Sequence, residues 1–490
     1  MSPDPNSQLA RRAFSGSMFS VAASVVTIGL GFLRATLMTR VLLESDFGVA
    51  ALALFYMNLA AQIRSIGIDQ ALIHRKQTDD HVLATYFTLR MALVLGSLVI
   101  LAVGTPLLAR FYPDMPLLSA VLFVYIAIDL VKGFNKIQVT ILSKEMAFKH
   151  LAVADIVSAV AMTIVGPVMA FQGWGVWSIV AENASGILAR ALLVWLLYRP
   201  WRPRLGWDKE IVRWFWGYGR NIWVSTNFDV LLDRFDDFWV GTAMGSESLG
   251  IYSRAYEFAG YPRRVIAVPI LSVFFPTFAR LQDDRTRLSR AFFRAMSLMV
   301  RAGCWFTLVF VLTAPEFIRI FLGERWLVMQ VTFQLMVVYT LFDPLLVGVE
   351  NLLMATGHPR IIARTRWLQA LVFIPAVIGL GAVASIEGVA LAADLMVLLG
   401  VVPLFVYSRR VVDYSARRLW LWPLVGMAVT GGATLALGAV WAAWPVWLAF
   451  AGKGLFVTLL FGGILWLMER EQLRTGRDMI WGMVRGRRGG

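Results

Sequence analysis

The sequence predicts an all-α integral membrane protein of about fourteen transmembrane helices, and three observations carry that reading. Apolar residues make up 58% of the 490 and charged residues only 16%, and the mean hydropathy is +0.67. A soluble fold of this length could not bury that much apolar surface. Apolar windows of about 20 residues, long enough for ~30 Å of hydrocarbon, recur along the whole chain. Basic residues gather in every second connection, the asymmetry that the positive-inside rule describes.

The first window, 16 to 39, follows Arg11-Arg12. No small-residue cleavage site comes after that pair, so the run is read as an uncleaved first helix and not as a twin-arginine leader. Windows at 47 to 63, 83 to 107, 115 to 131, 150 to 170 and 176 to 198 complete an N-terminal lobe over 1–198. Residues 199–220 combine Arg199-Pro200-Trp201-Arg202-Pro203-Arg204 with an aromatic and basic stretch, and read as a cytoplasmic linker with an amphipathic surface segment. The windows 221 to 240 and 249 to 262 are too polar for a hydropathy test alone. They are accepted because backbone at lipid depth must be helical and because the charge alternation requires an even number of spans there. With 295 to 314, 327 to 356, 369 to 383 and 388 to 408 they form a C-terminal lobe over 221–410. Two extra helices, 419 to 441 and 447 to 468, fall within 411–468, and 469–490 is a basic cytoplasmic tail.

A net charge of +15 would point to nucleic acid if the cations shared one soluble face. They do not. The connections assigned to the cytoplasm hold 35 of the 46 Lys and Arg, and the opposite side holds Arg40, Arg110, Arg319 and Arg325. The charge therefore reports topology, with both termini cytoplasmic and anionic headgroups as neighbours of the loops. Seven basic residues remain within spans or at their ends: Arg34, Arg90, Arg190, Arg234, Arg254, Arg301 and Lys453. The Trp residues cluster near span ends, as interfacial belts do. The lone Cys304 excludes an intramolecular disulfide, and the four His show no metal-ligand spacing, so no cofactor or metal is expected.

The chain also looks duplicated. Glu44-Ser45-Asp46-Phe47-Gly48 closes one helix and opens the next, and Gly245-Ser246-Glu247-Ser248-Leu249-Gly250 does the same about two hundred residues later. Gly175-Val176-Trp177 and Gly388-Val389-Ala390 form a second pair. Similar corners at corresponding joints predict two pseudo-symmetric six-helix lobes around a central cavity, a transporter architecture.

The stretches Leu231-Leu232-Asp233-Arg234-Phe235-Asp236-Asp237, Leu249-Gly250-Ile251-Tyr252-Ser253-Arg254-Ala255-Tyr256 and Phe275-Pro276-Thr277-Phe278-Ala279-Arg280 carry a resemblance, as do the Ser45 to Gly48 corner and Ala314-Pro315-Glu316-Phe317. The chain resembles the Wzx-type lipopolysaccharide and exopolysaccharide flippases of the MOP superfamily, which also holds MATE drug exporters and lipid II flippases. The likeness extends over roughly 8 to 410 and implies a protein of the bacterial plasma membrane. It also implies translocation of undecaprenyl-diphosphate-linked oligosaccharide units by alternating access, with membrane lipids and other polysaccharide assembly proteins as partners and no nucleic acid.

Such a substrate gives buried charge a purpose, because a diphosphate and a glycan cannot cross hydrocarbon without cations and water. Arg34, Arg234 and Arg254 are the cavity-lining candidates, with Asp237 beside Arg234 and with Tyr252 and Tyr256 as surfaces for a sugar. The competing reading pairs Arg234 with a carboxylate one helical turn away and makes it structural. Arg90, Arg190 and Arg301 are expected to snorkel, and Lys453 to lie at the interface. Asp129 and Asp343 are the deepest of an acidic set that includes Asp155, Glu182, Glu350 and Asp394, and are the candidates for coupling to a proton or sodium. Membrane potential is a third possible driving force, and a salt bridge to a neighbouring Arg is the competing reading for each carboxylate. Two other functions stand beside the flippase: a MATE-like antiporter, which favours a carboxylate cluster, and a glycan polymerase or ligase. The longest external connection, about 315 to 326, offers an enzyme no room for its chemistry, so no enzymatic activity is expected.

Overall fold

The computed structural model describes residues 5–75, 78–198, 201–271 and 274–469. The described residues contain helices and no strand. Among the described residues eleven helices are long and apolar enough to cross a membrane. The expected seventh and eighth spans are helical but not among the eleven, and the helix at the eighth, Gly245–Ala259, has only 15 residues. Residues 470–490, Arg199 and Pro200 lie outside the described residues, as do the side chains of Leu231, Leu232 and Asp233.

The chain divides into two compact units, Met1–Arg254 and Ala255–Gly490. In the first, α1 is Pro5–Val41, α2 Glu44–Ile63, α3 Ile68–His74, α4 Asp80–Phe111, α5 Leu118–Lys144, α6 Phe148–Phe171 and α7 Val176–Leu193. A π-helical turn at Val194–Tyr198 extends α7, and α8 (Lys209–Ala243) and α9 (Gly245–Ala259) follow, the last five residues of α9 belonging to the second unit. The α6 helix packs on α1 and α7, α4 on α5, and α2 on α5 and α8. Polar residues start the helices where the sequence turns: Asp79 accepts from the Val82 amide at 3.0 Å, and Asp208 from Glu210 at 2.8 Å and Ile211 at 3.1 Å. With that cap in place and no proline before Ala243, the amphipathic segment expected near 209 and the seventh span are one continuous helix of 35 residues. The connection expected at 132–149 is likewise mostly helix, since α5 continues to Lys144.

The two duplicated corners meet. A Cβ on Gly48 would land inside the radius of the Ser246 carbonyl oxygen, and one on Gly250 would land on the Glu44 carbonyl. Each glycine thus lets the backbone of one corner rest on that of the other. Around this seam the Tyr56 and Tyr112 hydroxyls lie 2.8 Å apart, Tyr112 reaches Thr242 at 2.7 Å, and the Phe55 and Phe238 rings stack at 5.4 Å.

In the second unit α10 is Val268–Leu271, α11 Phe274–Leu281, α12 Arg285–Leu312, α13 Ala314–Phe317, α14 Gln330–Ala355 and α15 Pro359–Ser408. The remaining helices are α16 (Ala416–Ala436), α17 (Gly438–Ala442) and α18 (Val446–Met468). The α14 helix packs on α12 and α15, while α16 and α18 lie on α12. Two buried ion pairs fasten α18. Arg301 makes paired bonds of 2.7 and 2.6 Å to Glu469, and Lys453 reaches Glu316 at 2.6 Å. Arg301 is therefore held by Glu469 instead of snorkelling, and Lys453, with 13% of its side chain exposed, is held by Glu316. Each is held where its carboxylate is, because a buried cation without one would be costly.

The 50-residue α15 is two spans joined at a bend, where Ser385 has φ 52° and ψ −140°. Gly175, ahead of α7, has φ 53° and ψ −133°. The backbone counterpart of Gly175 is thus Ser385, three residues before the glycine that sequence similarity had paired with it. Gly388 serves a different purpose, since its missing side chain lets the bend close onto the Leu380 carbonyl. Ser385 holds a left-handed backbone conformation without glycine's freedom. Ser385→Gly is expected to raise stability by about 1 kcal/mol, read as a higher melting temperature of the purified protein.

Candidate functional site

A polar cavity in the first unit lies where α2 ends, at the ends of the helices that carry the basic connections. It measures about 240 Å³ and is lined by Arg64, Asp69, Arg90, Asp129, Lys132 and Lys136, among others. The sequence builds it from four elements. Arg64 follows the last residue of α2, and Gly67, with φ 68°, turns the chain so that Asp69 on α3 faces back. Arg90 comes from α4. Asp129, Lys132 and Lys136 recur at a spacing that keeps them on one face of α5, and between them Gly133 allows α5 to approach Val94 of α4 closely.

Inside the cavity Arg64 pairs with Asp129, and Arg90 pairs with Asp69. Asp69 also accepts from the Tyr86 hydroxyl at 2.6 Å and lies 3.5 Å from Lys136. Four cations therefore face two carboxylates, an excess of two positive charges. The Arg90 Nε is buried with no hydrogen-bond partner among the described residues. A volume of 240 Å³ is too small for a lipid-linked oligosaccharide but admits several waters or one phosphate-sized anion. In this low-dielectric setting the surplus cations and the spare donor favour an anion far more than they would at an exposed surface.

The sequence-predicted residues fall in several places. In the first unit Arg234 bonds Asp237 at 3.0 Å, the Tyr252 hydroxyl donates to Asp236 at 2.6 Å, and Arg254 lies 4.2 Å over the Phe47 ring. This network joins α8, α9 and the start of α2, beside the glycine seam. Arg34 is elsewhere in the unit, 2.7 Å from Glu182, where it ties α1 to α7. Arg90 and Arg190 pair with Asp69 and Asp155 instead of snorkelling. In the second unit Tyr256 lies 6.3 Å from the Tyr339 ring, and Asp343 is 2.7 Å from Arg263. The two coupling candidates, Asp129 and Asp343, are thus both in ion pairs.

Arg64, Lys132 and Lys136 are the residues that sequence reasoning missed. They had been counted as loop charges that set topology, and only the contacts of Arg64 with Asp129 and of Lys136 with Asp69, with Lys132 in the same lining, place them in a cavity. The i, i+3, i+7 spacing on α5 was the one signal available beforehand.

Comparison with known proteins adds the following. A family described as "Polysaccharide biosynthesis protein" matches residues 37–331. The Escherichia coli (strain K12) lipopolysaccharide biosynthesis protein WzxC is 24% identical over 84% of this chain and 85% of its own. The Rhizobium meliloti (strain 1021) succinoglycan biosynthesis transport protein ExoT is 24% identical over 66% of this chain and 65% of its own. The solved structure of the lipid II flippase MurJ in an inward closed conformation superposes with a TM-score of 0.73 at 14% identity, covering 93% of this chain and 99% of MurJ. The chain therefore shares the MurJ fold, and the family match contains the stretches on which the resemblance was read.

Proposed function

Because the chain belongs to the polysaccharide biosynthesis protein family, we propose that this multi-pass membrane protein flips lipid-linked oligosaccharide units across the bacterial plasma membrane. The carrier expected is a polyprenyl diphosphate, the movement is alternating access, and both termini are cytoplasmic. The products feed lipopolysaccharide, capsule or exopolysaccharide assembly, and no covalent chemistry is required of the protein.

The observation that carries the proposal is the net-cationic cavity in a chain of this family. Arg64, Arg90, Lys132 and Lys136 offer an anionic phosphate group charge-assisted hydrogen bonds. The cavity lies at the basic ends of the helices, the cytoplasmic face on the charge argument, which is where a newly made lipid-linked unit would arrive. The Arg234, Asp236, Asp237 and Tyr252 network and the Arg254 cation stand on the opposite side of this reading, at the seam that must open for release. Arg64 and Asp129 pair with each other in the cavity. An entering phosphate therefore needs the surplus lysines to compete with the carboxylates.

The test is a gene deletion in the host complemented at matched membrane levels. The deletion should accumulate lipid-linked intermediates and lose surface polysaccharide, and wild type should restore both. The Lys132→Ala, Lys136→Ala double variant keeps the buried pairs and should fall about tenfold in restored polysaccharide, the loss expected for charged hydrogen bonds. Full restoration by the double variant would remove the cavity from the mechanism. A deletion with normal surface polysaccharide would remove the flippase reading itself.

A further inference from the structure

Ten carboxylates within or at the ends of helices have found partners. Asp69, Asp129, Asp155, Glu182 and Asp237 each meet an Arg. Glu316 meets Lys453, and Asp343, Glu350 and Glu469 meet Arg263, Arg366 and Arg301. Asp236 accepts from Tyr252. Asp394 is different. It is 6% exposed, its Oδ1 is fully buried, and no hydrogen-bond partner reaches that atom among the described residues. No ion pair of Asp394 is found among them either.

Among the described residues no cation pairs with it. Asp394 sits nine residues past the α15 bend, with Ala390 and Val397, both 0% exposed, a turn away on either side. The helix packed most extensively against α15 is α14, whose titratable side chains are Tyr339, Asp343 and Glu350. The last two are committed to Arg263 and Arg366. Helices α12 and α16, which carry arginines, touch α15 at Phe405, eleven residues beyond Asp394. On α15 itself Arg360 and Arg364 are exposed near its start, Arg366 is held by Glu350, and Glu387 and Tyr407 complete the set. A bare carboxylate in such a place would carry a large desolvation penalty with nothing to offset it, whereas the neutral acid would not. A metal cation asks for several oxygen ligands, and no group of three acidic, His or Cys side chains that could hold one occurs among the described residues.

We propose that Asp394 is a proton-binding site that couples the flippase to the proton gradient: it holds a proton in this conformation and gives it up in another. The coupling half of the proposal rests on the translocation reading above. In the step itself the Asp394 O–H bond breaks, the proton passes to water, and the carboxylate remains. Ionisation is possible only when a rearrangement of α14 and α15 brings water or a cation to the site, so proton loss and helix movement are linked, as two ligands of one equilibrium are. This assigns coupling to a residue other than Asp129 and Asp343, each of which is in an ion pair with an arginine.

The experiment uses the full-length protein in lipid and its Asp394→Asn variant, which replaces the acid by a neutral group of the same shape. Infrared difference spectroscopy at neutral pH should show a protonated-carboxyl band in wild type that is absent from the variant. A wild-type spectrum matching the variant in that region would mean that Asp394 is ionised, and would overturn the proposal. The same variant in the complemented deletion strain should fold, reach wild-type membrane levels and lose surface polysaccharide, while Asp394→Glu retains a measurable part. If Asp394→Asn restores polysaccharide as well as wild type does, coupling through this residue is refuted and the flippase reading stands. If wild-type protein itself fails to restore polysaccharide, the flippase reading fails, and the infrared band still decides whether the proton is there.

Discussion

Arg301→Ala is expected to destabilise the folded protein by about 3–5 kcal/mol, the cost of stranding one member of a buried ion pair. The pair is among the most enclosed in the chain, with 10% of the Arg301 side chain and 1% of Glu469 exposed. Arg301 also donates to the Ser297 backbone at 2.8 Å. Removing the guanidinium leaves Glu469 a buried, uncompensated anion where the chain leaves α18. The result should be a lower melting temperature and reduced membrane levels. The double variant Arg301→Met, Glu469→Leu separates charge stranding from lost packing. It removes both charges, keeps most of the volume, and should recover the greater part of the loss. A double variant as unstable as the single would mean that packing and not the unpaired charge dominates.

Gly250→Val carries the second large effect. The obstacle is the Glu44 backbone carbonyl, and the Gly48 amide lies 3.2 Å from the same Cβ position, so no flexible side chain can swing aside. The corners must separate or the helices bend, at about 1–3 kcal/mol or more. Surface polysaccharide should fall at least about tenfold at matched protein levels, an energy of ~1.4 kcal/mol being enough. Gly96→Ala provides the contrast. Nothing lies within 4 Å of its Cβ position, and alanine in a helix interior should be neutral or mildly stabilising. Equal losses in the two variants would show that the seam has no special standing.

These predictions mark how far the sequence could be read. The spans were legible because bilayer thickness and the alternation of basic connections are one-dimensional constraints. The corners at Gly48 and Gly250 were legible as similar, although their mutual contact was not, since nothing in two short separate stretches says that they touch. Helix ends were the weaker part. Lys209 to Ala243 contains no residue that stops a helix, and sequence reasoning broke it where polarity rose.

The site was legible in a different measure. Arg34, Arg234, Arg254, Asp237, Tyr252 and Tyr256 were singled out as one set, of which Arg234, Asp237 and Tyr252 fall in one network with Asp236 while Arg34 meets Glu182. Arg64 was not singled out, because its partner Asp129 is 65 positions away and a charge at the end of a span looks like any other topological charge. Asp394 shows the same limit from the other side. Its depth could be read from the apolar run around it, but the lack of a partner is a property of α14 and α15 packed together and has no trace in either segment alone.

The central claim is translocation, and the most direct measurement is a leaflet-exchange assay on the purified full-length protein in vesicles. A fluorescent polyprenyl-diphosphate saccharide is incorporated in both leaflets, and a membrane-impermeant reductant is added outside. The account predicts that vesicles containing the protein lose nearly all of the fluorescence, whereas protein-free vesicles lose only the outer-leaflet share. Loss confined to the outer leaflet in both, under an imposed proton gradient of either direction, would contradict it.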